Sequence, residues 1–346
     1  MYNICVLGAG YMGSAITFPL AKNGHNVNLW GTWLDDEIIN ACRKGLLHPK
    51  LKTKLLPTVK IFSSDELEAA VSGCDIIFMG ISSEGFLDVF KKLLSVIDKN
   101  KNIFTLTKGF IDDNGKIRRT TAVARQLLNK RFAEADFQWT SIGGPVKALE
   151  LCRDIPTVSI YASRTDENIS AAGKFGTGNY RIIHTRDITG VELSADFKNV
   201  YATGMGVVEG LYGPEMAGNF HNFSSFIFNQ SILEISRIVE KAGGNKKTVF
   251  DNAGMGDLYV TSQSGRNRKF GELIGKGMPP EEVFRTMLEG GELAEGYHTL
   301  KLGKIWLEEN HPELLGYLPL FSALHQIIFG DMDPFEGLKG ILDKLN

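Results

Sequence analysis

Cysteine is scarce and scattered: Cys5, Cys42, Cys74 and Cys152 stand far apart with no CxxC pair. That spacing suggests neither a zinc knuckle nor a disulfide framework, and it fits a reducing compartment. Charge of one sign is also lacking, since 38 Lys and Arg face 40 Asp and Glu for a formal charge of -2. Nothing in that balance draws the chain to nucleic acid or to an anionic membrane, so any anion site has to be local. Long apolar runs are missing as well; none approaches the roughly 18 residues that cross a bilayer. The first strand-like run, Asn3 to Leu7, starts beside the initiator Met and leaves no room for a signal peptide. A cytoplasmic protein with no membrane insertion and no nucleic-acid partner is expected. His48, His184, His221, His298, His311 and His325 show neither HxxxH nor HxH spacing, so no metal site is predicted and each is read as an ordinary core or surface residue.

What is present is a chain of 346 residues, 43% of them hydrophobic, long enough for two domains. In its first half short apolar runs alternate with amphipathic stretches: Ile4 to Leu7, Val27 to Trp30, Val59 to Phe62, Ile76 to Met79, Ile103 to Leu106, Phe137 to Ile142 and Thr157 to Tyr161. This alternation predicts βαβ units on a mostly parallel sheet. After about Ile183 the period becomes helical, through Leu193, Phe197, Val200, Gly204, Val207 and Leu211, then Ile232 to Ala242 and Pro280 to Leu288. The fold class expected is α/β: a Rossmann-type doubly wound sheet over residues 1–186, then a mainly α-helical substrate and catalytic domain over 187–346. Phe220, Phe223, Phe226 and Phe228 are expected in core or dimer contacts.

Gly8-Ala9-Gly10-Tyr11-Met12-Gly13 follows the first strand directly and opens a helical pattern, Ser14 to Asn23, that ends at Gly24. In that context GxGxxG reads as a dinucleotide fingerprint. Gly8 permits the tight turn, Gly10 lets backbone approach the pyrophosphate, and Gly13 allows close helix packing. The coenzyme is NAD or NADP. The second strand ends Leu29-Trp30-Gly31-Thr32, with neither the acid that binds ribose hydroxyls nor an Arg for a 2′-phosphate, so use of both is predicted. Asp35 and Asp36 come late, and the preferred reading is a solvated loop or helix start.

Between Asn199 and Val208 there is no charged residue, which predicts a helix enclosed by protein with Lys198 at its edge. Taken alone, Lys198 reads as a lysine snorkelling to the surface. Gly254 to Gly271 then packs flexible backbone, Asp257, Thr261, Arg266, Asn267, Arg268 and Lys269 into a short span. Arg can clasp phosphate oxygens in pairs and Asn can donate from its amide, so this run suits an oxyanion. A solvated basic turn is the competing reading.

Gly8 to Gly13, Thr107-Lys108-Gly109, Gly144-Pro145, Val191-Glu-Leu with Lys198-Asn-Val200, Gly256-Asp-Leu258 and Gly265-Arg-Asn-Arg268 follow one another in this order. So arranged, the chain resembles, over nearly its whole length, the soluble NAD(P)-dependent glycerol-3-phosphate dehydrogenases. The resemblance implies an oxidoreductase that interconverts dihydroxyacetone phosphate and sn-glycerol 3-phosphate, supplying glycerol phosphate for phospholipid synthesis or glycerol metabolism. It also implies a homodimer. By the same resemblance Lys198, Asp257 and Lys108 are catalytic, with Lys198 the proton-transferring group. Gly8, Gly10, Tyr11, Met12, Gly13, Ala148, Arg266 and Glu295 would bind the cofactor. Lys108, Gly144, Lys198, Asn199, Asp257, Thr261, Arg266 and Asn267 would bind the phosphorylated triose. One stretch departs from the family pattern: Gly144-Pro145 is followed by Val146-Lys147-Ala148-Leu149-Glu150, with Lys147 and Leu149 where the family has Phe and Lys. Two other readings compete. One is another two-domain dehydrogenase, of the ketopantoate reductase or hydroxyacyl type; the other is a non-catalytic dinucleotide sensor, which would have no need for Lys108, Lys198 and Asp257 together.

Overall fold

The apolar runs of the first half become strands because β-branched and aromatic residues suit a sheet covered on both faces. The structure is a computed structural model that describes residues 1–97, 101–132, 138–216 and 220–344. Its strands are β1 (Asn3–Leu7), β2 (Asn26–Trp30), β3 (Lys60–Phe62), β4 (Ile76–Met79), β5 (Asn102–Thr105), β6 (Phe110–Asp113), β7 (Lys116–Arg119), β8 (Trp139–Gly143), β9 (Thr157–Ser163) and β10 (Tyr180–Thr185). Eight of them form one sheet in the order β10-β9-β8-β5-β4-β1-β2-β3. Only the β8–β9 pair in it is antiparallel. From β1 the chain steps outward through β2 and β3, then returns to β4 on the other side of β1 and steps outward again. The carboxyl ends of β1 and β4 therefore flank the topological switch point, where open α/β sheets bind ligands.

Alternation along the strands divides the core into two layers. Ile4, Val6, Phe78 and Phe104 point into one cluster. Cys5, Leu7, Ile77, Met79 and Ile103 point into the other. Cys5 and Cys74, remote in sequence, meet in this second cluster as hydrogen-bonded free thiols. Helices α1 (Tyr11–Lys22), α2 (Asp36–Arg43), α3 (Leu67–Val71), α4 (Ser83–Val96), α5 (Thr120–Arg131), α6 (Ala148–Leu151) and α7 (Asp166–Ala172) complete this region. All seven strand-like runs lie on strands of the sheet, although Phe137 is outside the described residues. Strand β10 and the separate β6–β7 hairpin were not anticipated. The hairpin turns at Asn114-Gly115, both at positive φ (56° and 82°), as a two-residue primed turn requires.

The chain divides into two compact units, Met1–Ile188 and Thr189–Asn346. The second is helical throughout: α8 (Ile188–Met216), α9 (His221–Lys241), α10 (Lys246–Val249), a π-helix (Asn252–Gly256), α11 (Asp257–Gln263), α12 (Arg266–Gly275), α13 (Pro280–Glu289), α14 (Glu295–Asn310), α15 (Pro319–Phe329) and α16 (Pro334–Lys339), with short 3₁₀ turns at Pro312–Tyr317 and Leu342–Lys344. Helices α8 and α12 meet backbone to backbone. A Cβ on Gly206 would lie 2.0 Å from the Arg268 carbonyl oxygen, on Gly210 2.1 Å from that of Glu272, and on Gly271 2.0 Å from that of Thr203. Only glycine permits that approach, and it brings the start of α12 alongside Asn199. The uncharged run of α8 is buried accordingly; Val200, Tyr201 and Ala202 are each at most 1% exposed. Phe223 and Phe226 are half-buried and stack on one another. No helix among the described residues is long and apolar enough to cross a membrane.

Candidate active site

In the first unit, neighbours demand two of the three fingerprint glycines. Gly8 has φ of +101°, and a Cβ there would also strike the Gly80 carbonyl oxygen at 2.6 Å, at the end of β4. A Cβ on Gly13 would lie 2.0 Å from the Gly8 carbonyl oxygen, so the first turn of α1 can sit against the loop only without one. Gly10 differs: a Cβ there would have no protein atom within 4 Å. The fold does not require a bare backbone at Gly10, whereas a pyrophosphate drawn close to the loop does. Gly10 is also the N-cap of α1 and brings no side-chain acceptor, leaving the first-turn N–H groups and the positive end of the helix dipole for an anion. These residues fit a dinucleotide.

The other predicted positions of this unit lie at strand ends. Thr107 follows β5 and donates from its hydroxyl to the Ile81 carbonyl (2.8 Å), the half-buried Lys108 comes next, and Gly109 has φ of +108°. Gly144, directly after β8, has φ of +106°. Tyr11 is exposed and Met12 is partly buried against the first core cluster. Ala148 opens α6 with its methyl buried in that cluster.

Asp35 and Asp36 lie at the start of α2, as the helix-start reading has it, but Asp35 is not in a solvated loop. It is buried, and its Oδ2 accepts from the Thr32 N–H (2.9 Å), the Thr32 hydroxyl (2.9 Å) and the Ala9 N–H of the glycine loop (3.2 Å). The acid missing from the end of β2 is thus brought back to the loop by the turn after it. His48, read from sequence as an ordinary residue, is fully buried against the same loop.

In the second unit, Lys198 does not snorkel to the surface. Its side chain is 7% exposed and paired with Asp257, which is 2% exposed. A buried ammonium needs such a counter-ion, because desolvation without one is prohibitive. The π-helix brings Asp257 into place. Its widened turn runs Asn252–Gly256, a Cβ on Gly254 would lie 2.3 Å from the Val249 carbonyl oxygen, and Asp257 is the next residue.

Around this pair runs a net of amides and acids. Asn267 donates to Asn199 Oδ1 (2.9 Å), and Asn199 donates to Glu295 Oε2 (3.1 Å). Glu295 Oε1 lies 3.2 Å from Arg266 Nη2. The Gly296 N–H donates to Asn267 Oδ1 (2.8 Å), and a Cβ on Gly296 would strike the Asn199 carbonyl oxygen at 2.5 Å. Thr261 donates its hydroxyl to the Asp257 carbonyl (2.7 Å). Arg268 and Lys269 are held by Glu209 and Glu292, whereas Arg266, paired with Glu295, stays about two-fifths exposed at the start of α12. Each predicted position of this unit, Lys198, Asn199, Asp257, Thr261, Arg266, Asn267 and Glu295, joins the cluster. Sequence reasoning missed Gly296 and the glycine contact of α8 with α12; the paired GxxxG spacings Gly206/Gly210 and Gly271/Gly275 are the only trace of the latter.

A glycine kept bare at Gly10, where a Cβ would meet no protein atom, in a loop at the switch point of a doubly wound sheet, marks a dinucleotide-dependent dehydrogenase. The two units match two family models in turn, the N-terminus of NAD-dependent glycerol-3-phosphate dehydrogenase over residues 3–169 and its C-terminus over residues 187–339. The chain is 33% identical to the NADP(+)-dependent glycerol-3-phosphate dehydrogenase of Archaeoglobus fulgidus, over 86% of this chain and 87% of that one. It is 29% identical to the glycerol-3-phosphate dehydrogenase [NAD(P)+] of Carboxydothermus hydrogenoformans, over 99% and 96%. The glycerol-3-phosphate dehydrogenase of Coxiella burnetii shares the fold, with a TM-score of 0.82 at 24% identity over 99% of both chains. The chain belongs to the NAD-dependent glycerol-3-phosphate dehydrogenase family, and its activity is the NAD(P)-dependent dehydrogenation of glycerol 3-phosphate.

Proposed function

We propose that Lys198 is the proton-transferring residue in the interconversion of dihydroxyacetone phosphate and sn-glycerol 3-phosphate. The observation that carries this is the buried pair of Lys198 with Asp257, a proton donor held in place by an acid and shielded from bulk water. Gly8, Gly10, Tyr11, Met12 and Gly13 hold the dinucleotide through backbone N–H groups, with Arg266 and Glu295 assigned to the cofactor by the family resemblance. The nicotinamide supplies a hydride in one direction and accepts one in the other.

In the reduction, Lys198 Nζ gives a proton to the substrate oxygen as the carbonyl carbon gains its new C–H bond, and the resulting amine recovers a proton from solvent. In the oxidation the neutral amine takes the hydroxyl proton. Asp257 orients Nζ and offsets its charge, and Thr261 ties the turn that carries Asp257. Asn199 and Asn267 fix each other and donate to the substrate side, while Arg266 serves the phosphate by paired charge-assisted bonds. Lys108 and Gly144 are assigned to the substrate on the family resemblance, with Ala148 beside the cofactor. A cytoplasmic homodimer supplying glycerol phosphate to lipid synthesis or glycerol metabolism completes the reading. Both coenzymes serve, with less than about 100-fold discrimination.

The test is a panel of ketones, dihydroxyacetone phosphate, ketopantoate and an acyl-CoA ketone among them, followed by absorbance of NADH and NADPH. Dihydroxyacetone phosphate should have the highest kcat/KM. Faster turnover of another ketone overturns the substrate assignment.

A further inference from the structure

We propose that His48 is a positioning residue for the dinucleotide, holding the glycine loop in its receiving shape by clamping the carbonyl of Ala9. This rests on the reading that the loop binds the pyrophosphate. His48 lies in the segment between α2 and β3 and is fully buried. Its Nδ1 is 3.1 Å from the backbone nitrogens of both Lys50 and Leu51, so that nitrogen is an acceptor. In the neutral ring the proton then sits on Nε2, which faces two oxygens, the Ala9 carbonyl at 3.2 Å and the Ser14 hydroxyl at 2.9 Å. The Ser14 hydroxyl itself donates to the Ala9 carbonyl at 3.0 Å, closing a triangle.

Across the loop, the Ala9 N–H donates to Asp35. Ala9 is therefore held at both its N–H and its carbonyl, by two residues that lie beyond β2. It is also the one non-glycine between Gly8 and Gly10, where the chain has most freedom to lose. Rotation of the Ala9–Gly10 peptide would turn the Gly10 N–H, which shares its plane with the clamped carbonyl, away from an anion at the loop. Burial, with the charge of Lys50, favours a neutral ring over the opposing pull of the Ala9 carbonyl and the charge of Asp35, and geometry then sets which nitrogen carries the hydrogen. No sequence motif marks this role, because His48 works through a peptide group 39 residues earlier.

Two substitutions separate the clamp from the local turn. His48→Gln can place an amide N–H near the Nε2 position and keep the bond to Ala9. His48→Asn can place an acceptor near the Nδ1 position and keep only the bonds to Lys50 and Leu51. In the full-length enzyme, His48→Asn should raise the KM and Kd for NADH and NADPH about tenfold, with kcat at saturating cofactor kept within about threefold. His48→Gln should hold the cofactor within about threefold of wild type. The clamp is overturned if His48→Asn binds cofactor as wild type does, or if both variants lose affinity equally. Gly10→Val is measured alongside: unchanged affinity there brings down the loop reading itself, whereas lost affinity there with a normal His48→Asn brings down only the clamp. Should neither histidine variant fold, ¹⁵N NMR of the wild-type imidazole decides. A neutral ring protonated on Nε2 whose signal moves on adding NADH supports the clamp, and a ring protonated on Nδ1, or one blind to NADH, overturns it.

Discussion

The candidate residues of the two units are built in opposite ways. In the first unit, the candidate site is defined by what is left out: glycines keep the loop after β1 free of side chains, and Asp35 and His48 hold the N–H and the carbonyl of Ala9 within it. In the second unit, the candidate site is defined by what is put in: a buried ammonium, its carboxylate and two amides, each satisfying another. A site made of backbone can lose its ligand while the fold stands. A site made of buried charges cannot lose a member without cost to the fold.

That contrast can be broken experimentally, and the largest effect is expected in the second unit. Asp257→Ala leaves Lys198 buried without its counter-ion, which typically costs about 3 to 5 kcal/mol. Urea unfolding should show a loss of that order, and the double variant Lys198→Met/Asp257→Ala should recover part of it. No recovery would mean that the pair is not coupled. Gly10→Val probes the other half, where a larger side chain occupies the approach of the pyrophosphate and forfeits two or more charge-assisted bonds. Cofactor affinity should fall by more than about 100-fold. Its thermal midpoint should stay near that of wild type, because a Cβ at Gly10 meets no protein atom. A parallel fall in stability would erase the distinction between the two halves.

Arg266→Gln should sharpen it. Loss of a charged partner costs about 1.5 to 3 kcal/mol, roughly 10- to 150-fold in kcat/KM for dihydroxyacetone phosphate, while unphosphorylated dihydroxyacetone is spared. An equal decline on both substrates would remove the phosphate role and leave Arg266 serving only the cofactor or the fold.

The smallest effect concerns Glu234, buried and accepting from Gln230, Tyr201 and the backbone N–H groups of Leu320 and Phe321 at the start of α15. Glu234→Gln turns an amide toward some of these donors and should cost about 1 to 3 kcal/mol. Burial holds this carboxyl above its usual 4.5. The folded state therefore keeps the proton longer than the unfolded one, and this contribution to stability fades as pH rises from about 4.5 through the folded value. The gap between wild type and Glu234→Gln should be widest near pH 4.5 and narrower at pH 7; a gap independent of pH would mean that Glu234 does not titrate as its burial implies.

The same contrast explains what could be read in the sequence. The glycine loop was legible because all its parts are contiguous, six residues running from the end of a strand into the first turn of a helix. The enclosed stretch of α8 was legible because a run without charge tells of burial. Lys198 and Asp257 are 59 residues apart, and nothing local says that a π-helix and a pair of glycine faces bring them together; only the family resemblance named them. Asp35 was legible as a helix start, but its burial against the glycine loop was not, because that depends on the chain turning back after Thr32. The β6–β7 hairpin carried its signal in Asn114-Gly115, and that signal was overlooked.

The role of Lys198 is tested most directly by Lys198→Met, with kcat for dihydroxyacetone phosphate reduction and NADH affinity, by fluorescence quenching, measured on the same preparation. Proton transfer contributes about 10² to 10⁴ in rate, so kcat should fall by that factor while NADH still binds through the untouched loop of the first unit. A variant that retains most of its kcat would remove Lys198 from the chemistry and leave its buried pair with Asp257 a structural contact.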